Sequence, residues 1–272
     1  MKLIYKFLTL FILMIASSSR SGWIPEVPLE PSGSVYIGKY TGNNDRYNLD
    51  VGIDVSVSLL RWDNTDFFVK YISNLEMGKQ VGNITFDPRY SHWFIIGGLK
   101  YKKSSYLIQS YIVHDCKHMI DILPDSSKVV FNRLKFSISQ NLYDIRNRFQ
   151  VEIEKEKRKR KMRWDFIYGF YPQTKIIDYL NSRPYYHHDF ELIFEFPLLL
   201  FSKGELFAGT RGRYIISANT PPRYYRELSL FIEINRFTEK GSLAFYIENF
   251  PLSDDPVKTP EGLSILGVKY RF

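Results

Sequence analysis

The stretch Leu49-Asp50-Val51-Gly52-Ile53-Asp54-Val55-Ser56-Val57-Ser58-Leu59 alternates without a break between apolar and polar or small side chains. A period of two sends the two sets to opposite faces of one strand. The alternation returns at Met162, Trp164, Phe166, Tyr168 and Phe170, at Phe190, Leu192, Phe194 and Phe196, and at Leu228, Leu230, Ile232 and Ile234. Arg163, Asp165, Glu191, Glu195, Glu227 and Glu233 stand on the opposite faces. In a soluble sandwich the apolar faces meet a second sheet and the polar faces meet water. Long aromatic faces backed by charges of both signs fit a different arrangement, with lipid outside and a hydrated, charge-paired lumen. The predicted class is all-β, an antiparallel transmembrane β-barrel.

Composition narrows the alternatives. The chain has 272 residues, 44% of them hydrophobic, which excludes wholesale disorder. It holds 20 Tyr and 21 Phe, heavy for a soluble enzyme. Aromatics near the predicted strand ends (Trp62, Tyr71, Tyr101, Trp164, Tyr270) suit interfacial girdles. A single Cys excludes an intrachain disulfide and a cysteine-only metal cluster. Past the first residues no apolar run reaches the ~18 residues of a membrane helix, which excludes a helical bundle but not a barrel. Lys2 and Lys6, the apolar core Phe7–Ala16 and the small residues Ser17-Ser18-Ser19 have the layout of a secretory signal peptide, expected over 1–19. An N-terminal linker over 20–33 and the barrel over 34–272 complete the expected organisation. The net charge of +8 is therefore not assigned to nucleic acid; the expected partners are membrane lipids or lipopolysaccharide.

Strands are expected near 34–42, 47–61, 66–77, 90–102, 105–118, 129–140, 148–172, 187–200, 205–217, 226–237, 242–250 and 262–272, about 12 in all, an even number. Short turns at Asp63-Asn64-Thr65, Lys103-Ser104, Ser202-Lys203-Gly204 and Glu239-Lys240-Gly241 alternate with longer, Pro-bearing segments. Short turns are expected at the periplasmic end and long loops outside. Lys155–Arg163, with seven Lys or Arg, reads as a solvated basic turn or strand end, or as a contact for anionic headgroups.

The final residues Leu266, Val268, Tyr270 and Phe272 alternate with Gly267, Lys269 and Arg271. This strand resembles the C-terminal signal of bacterial outer-membrane barrel proteins. The resemblance implies an outer-membrane location and a barrel-assembly machinery that reads the strand.

The densest polar motif is His114-Asp115-Cys116-Lys117-His118-Met119-Ile120-Asp121. On a strand His114, Cys116 and His118 share a face, with neighbours about 7 Å apart. Three readings are open. His114 can act as base and Cys116 as nucleophile, since a thiol beside an imidazole becomes a reactive thiolate. His114, Cys116 and His118, with Asp121 as a fourth ligand, can bind zinc or copper. Alternatively, the cluster is a polar network in the lumen or at the rim.

The segment resembles the active-site stretch of outer-membrane phospholipase A, which carries H-x-S-N-G and, after a loop, an N-R pair. That resemblance implies a barrel of roughly 12 strands with a catalytic triad at the outer leaflet. Here the triad would be His114 as base, Cys116 in place of the nucleophilic Ser, and Asn132, followed by Arg133, orienting His114. Strand parity agrees: Asn132 shares a face with Leu134, Phe136 and Ile138, and His114 shares one with Tyr106, Ile108 and Ile112. The departures are Cys for Ser, Lys117-His118 for Asn-Gly, and a longer loop before Asn132. A second resemblance is to an uncharacterised family of bacterial outer-membrane proteins with an H-x-S-S-H-x-G-D-E-like signature. It covers His114, Cys116, His118 and Asp121 and implies a barrel without an activity.

Elsewhere, Gly97, Gly98 and Gly209 are expected to relieve crowding in curved strands. His187 and His188, adjacent on a strand, are expected on opposite faces. Arg211 and Arg213 are expected to face the lumen and pair with Glu191 and Glu195. The function expected first is acyl-ester hydrolysis of lipid by Cys116, His114 and Asn132; the alternative is a non-catalytic barrel, a small pore or a structural protein.

Overall fold

The computed structural model describes residues 25–42, 44–79, 88–103, 106–119, 128–140, 162–172, 186–218, 221–258 and 260–272. Twelve strands follow one another: β1 (Glu30–Thr41), β2 (Leu49–Trp62), β3 (Thr65–Met77), β4 (Pro88–Lys103), β5 (Tyr106–Met119), β6 (Lys128–Ser139), β7 (Arg163–Phe170), β8 (Tyr186–Phe201), β9 (Gly204–Ser217), β10 (Tyr224–Thr238), β11 (Gly241–Ser253) and β12 (Ser264–Arg271). Each pairs antiparallel with its chain neighbours, and β1 pairs with β12 to close the barrel. The strands lie within a few residues of their predicted positions, with two departures, at β1 and β7. β1 begins inside the expected linker, because Glu30–Gly33 pair with Val55–Ser58 of β2. The described part of the long seventh strand is only Arg163–Phe170. The expected signal peptide, the basic run up to Lys161, and Asp121 lie outside the described residues.

Closure satisfies every strand edge, which hydrocarbon requires of any spanning sheet. The outer surface is apolar as the alternation dictates: Ile95 is 60% exposed and Ile112 63%, beside exposed Ile37, Leu192, Ile232 and Phe245. Near the short turns the rings of Tyr106 and Trp164 lie 6.4 Å apart, and Tyr270 donates to the Lys240 carbonyl at 3.2 Å. These are the amphipathic aromatics of an interfacial belt. Tyr71 instead stands in mid-strand, opposite Ile95 of β4.

The lumen is filled by paired charges. Arg61 meets Asp66 at 2.7 Å, Arg163 meets Glu195 at 2.9 Å, and Arg271 meets Glu233 at 2.5 Å. Arg211 reaches Glu191 at 3.6 Å as expected, and Glu248 at 3.8 Å. Arg213 departs from expectation. It leans towards the long-loop end and takes Asp189 and Glu227, each at 3.0 Å, and Asp255 at 3.5 Å. Glu195 goes to Arg163 because that residue is its partner across β7 and β8. Asp189 occupies the space that a side chain at Gly169 would need, so glycine there keeps this carboxylate in place. Gly98 and Gly209 also sit under close neighbours, Tyr111 and Phe231.

At the long-loop end the segment between β11 and β12 turns into the barrel. Lys258 bonds Asp50 at 3.2 Å and Glu76 at 3.3 Å. Asp255 accepts a hydrogen bond from Tyr186 and pairs with Arg213. The Val257 carbonyl accepts from Lys117 at 2.9 Å and from Arg46 at 3.3 Å. The Val257 side chain joins an apolar cluster of Val129, Phe131, Tyr171, Tyr186 and Ile215. Residues 254–258 thus act as an internal cap. Replacing them by a Gly-Ser linker of equal length is expected to raise ion conductance in a planar bilayer above that of the unaltered protein. Equal conductance would mean that the charged side chains below seal the lumen unaided.

Candidate functional site

β5 alternates at its loop-facing end. His114, Cys116 and His118 point outward, and Asp115 and Lys117 point inward. The inward pair fixes that parity. Asp115 is 6% exposed and meets His92 at 2.5 Å and Arg133. Lys117 meets Glu76 at 3.0 Å, with its ammonium 4.8 Å from the centre of the Tyr90 ring. A slip of β5 by one residue would strip both charges of partners and turn them to lipid, which costs several kcal/mol. The outward residues are therefore held by the inward ones.

Across the sheet His114 stands opposite Asn132 of β6, and Cys116 opposite Val130. On the other side Ile95 and Trp93 of β4 stand opposite His114 and Cys116. His114 Nδ1 and Asn132 Oδ1 are 2.9 Å apart. With the amide oxygen as acceptor, Nδ1 carries the proton and Nε2 keeps its lone pair. The adjacent Arg133 faces inward and also hydrogen-bonds the Tyr171 hydroxyl at 3.4 Å. The N-R dipeptide thus divides between the two faces: Asn132 orients His114, and Arg133 neutralises Asp115 behind it.

The sulfur of Cys116 lies against Nε2 of His118. The Trp93 ring packs over His118 at 4.9 Å between centroids, tilted by 42°. Cys116 itself is largely covered, at 8% exposure, while His114 is exposed. Alternation had placed His118 on the right face but gave no sign that the thiol turns towards it. Nothing in the sequence marks Trp93 and His92 as site neighbours, since their positions depend on the register between β4 and β5. Among the described residues no three His, Cys, Asp or Glu side chains converge as metal ligands. Asp121, the proposed fourth ligand, is not among them.

His187 and His188 do not point to opposite faces. A register shift between Tyr186 and His188 breaks the alternation, and their rings lie 4.1 Å apart. A bulge inserts one residue and re-aims the next side chain. His188 Nδ1 meets the Tyr168 hydroxyl at 2.8 Å, so the pair belongs to an aromatic cluster with Tyr168 and Phe170.

Neighbouring substitutions test the division between faces. Asn132→Ala is expected to cost no more than about 1 kcal/mol of stability, the loss of one outward hydrogen bond. Arg133→Met is expected to cost about 3–5 kcal/mol, because it removes a cation from a buried carboxylate. Urea unfolding in lipid vesicles measures both, and similar costs would contradict the parity.

No family model and no curated protein matches the sequence. Solved structures match the fold. An outer membrane phospholipase dimer with bound calcium from Salmonella typhi aligns over 93% of this chain and 94% of its own, with 12% identity and a TM-score of 0.51. Outer membrane phospholipase A from Escherichia coli aligns over 95% and 96%, with 12% identity and a TM-score of 0.49. The KdgM porin aligns over 88% and 99%, with 10% identity and a TM-score of 0.45. The architecture is that of an outer-membrane β-barrel.

Proposed function

We propose that this chain is an outer-membrane enzyme that hydrolyses acyl esters of membrane lipids at the outer leaflet. The supporting observation is the 2.9 Å contact between His114 Nδ1 and Asn132 Oδ1, made on the lipid-facing side of the wall two residues from Cys116. A polar imidazole–amide pair on that surface costs desolvation for little gain to the fold, since the ion pairs behind it already fix the register. A lipid ester held beside the wall would be attacked by the Cys116 thiolate at its carbonyl carbon. The carbon–oxygen bond to the leaving alcohol breaks, the alcohol leaves with the proton given up by the thiol, and the acyl group stays on sulfur as a thioester. Nε2 of His114 then takes a proton from water, whose oxygen attacks the thioester. The carbon–sulfur bond breaks, and the products are a fatty acid and the regenerated thiol. Asn132 keeps Nε2 aimed outward throughout, as the third member of a triad does.

The second reading is a non-catalytic barrel in which the cluster is a polar rim network. The coverage of the sulfur, at 8% exposure of Cys116, favours it. Hydrolysis of dioctanoyl phosphatidylcholine in mixed micelles separates the two. Cys116→Ala and His114→Ala are each expected to lower the rate at least about a hundredfold, and Asn132→Ala about tenfold, with the barrel still folded. Hydrolysis that survives Cys116→Ala removes the nucleophile. Absence of hydrolysis in the unaltered protein leaves the rim network.

A further inference from the structure

We infer that the proton acceptor of the Cys116 thiol is His118, so that two imidazoles divide the work: His118 makes and stabilises the thiolate, and His114 serves the water of the second half-reaction. This rests on the reading of Cys116 as a nucleophile. Spacing alone leaves the base open, since His114 and His118 are equally far from Cys116 on one face, and the resemblance to the phospholipase favours His114. The structure breaks the tie, because Sγ lies against Nε2 of His118. His114 has turned its Nδ1 to Asn132 on the next strand.

The surroundings of His118 suit a group that gains charge. The Trp93 ring lies beside it, with centroids 4.9 Å apart and a tilt of 42°, and an indole ring within about 6 Å attracts a cation. A thiolate and an imidazolium in contact, half covered by the barrel wall and its lipid, attract more strongly than they would in water. His114 has a neutral amide as its partner, which fixes a tautomer and adds no charge. Proton accounting then closes without a further reactant. The thiol proton passes to His118 Nε2, and the thiolate attacks the ester carbonyl. The alkoxide expelled takes that proton back from His118 and leaves as the alcohol. His114 later removes a proton from water, and the sulfur departs from the thioester as a thiolate. The proton on His114 returns through solvent to the thiolate–imidazole pair.

Alkylation of the chain's single Cys by iodoacetamide at neutral pH tests the assignment without lipid or turnover. An ordinary thiol is only a few per cent thiolate there, so loss of its base slows alkylation about tenfold or more. His118→Gln is expected to do this, while His114→Ala and Asn132→Ala stay within about twofold of the unaltered protein. His118 faces outward, so heat-modifiable gel migration is expected to show an intact barrel in each variant. An unchanged or faster reaction in His118→Gln, an equal slowing in His114→Ala, or a Cys116 inert in the folded protein overturns the inference. Fast, His118-dependent alkylation without ester hydrolysis keeps the pair and removes the hydrolase. Hydrolysis with His118-independent alkylation does the reverse.

Discussion

A sheet that crosses hydrocarbon cannot leave an edge, because each unpaired N–H or C=O there costs several kcal/mol. The pairing of β1 with β12 meets that demand, with Val35 opposite Tyr270 and Ile37 opposite Val268. Once the sheet is a closed wall, every residue has one of two solvents, lipid or lumen. A charge must then face inward and find a counter-charge, which is why the lumen is a ladder of ion pairs. Buried pairs of this kind add little net stability over apolar packing, but breaking one is costly. Their larger contribution here is to register. Asp115 with His92 and Arg133, and Lys117 with Glu76, hold β5 so that His114, Cys116 and His118 face outward.

The outward cluster is polar where the rest of such a wall is apolar. An outward imidazole or thiol finds no aqueous partner along most of the wall, and the cluster on β5 and β6 supplies partners of its own: Asn132 for His114, and His118 for Cys116. Residues 254–258 occupy the interior at the long-loop end, held by ion pairs to Asp50, Glu76 and Arg213. The same wall therefore turns the His114–Asn132 and Cys116–His118 contacts outward and its ion pairs inward.

Much of this was legible in the sequence, because barrel alternation is a local property. Each strand announces its two faces through its own residues, and the separation of short turns from long segments sets which ends lie together. The His114–Asn132 pair was reachable from parity and a short motif. What was not legible depends on where side chains lean. Glu195 chose Arg163 over Arg211 or Arg213, a choice made by cross-strand neighbours. His187 and His188 share a cluster because one inserted residue broke the period of two. The preference of Cys116 for His118 is a single rotamer, which no alternation encodes. The descent of Val257 and Lys258 into the lumen was hidden because loop residues carry no periodicity to read.

That descent bears on how the chain assembles. The capping residues belong to the hairpin of β11 and β12, the final two strands of the barrel in chain order, yet they bind side chains on β2, β3, β5, β8 and β9. Until that hairpin docks, the carboxylates of Asp50 and Glu76 share too few cations and Tyr186 lacks its acceptor. The seam and the stopper thus arrive together, and an unzipped cylinder is also an uncorked one.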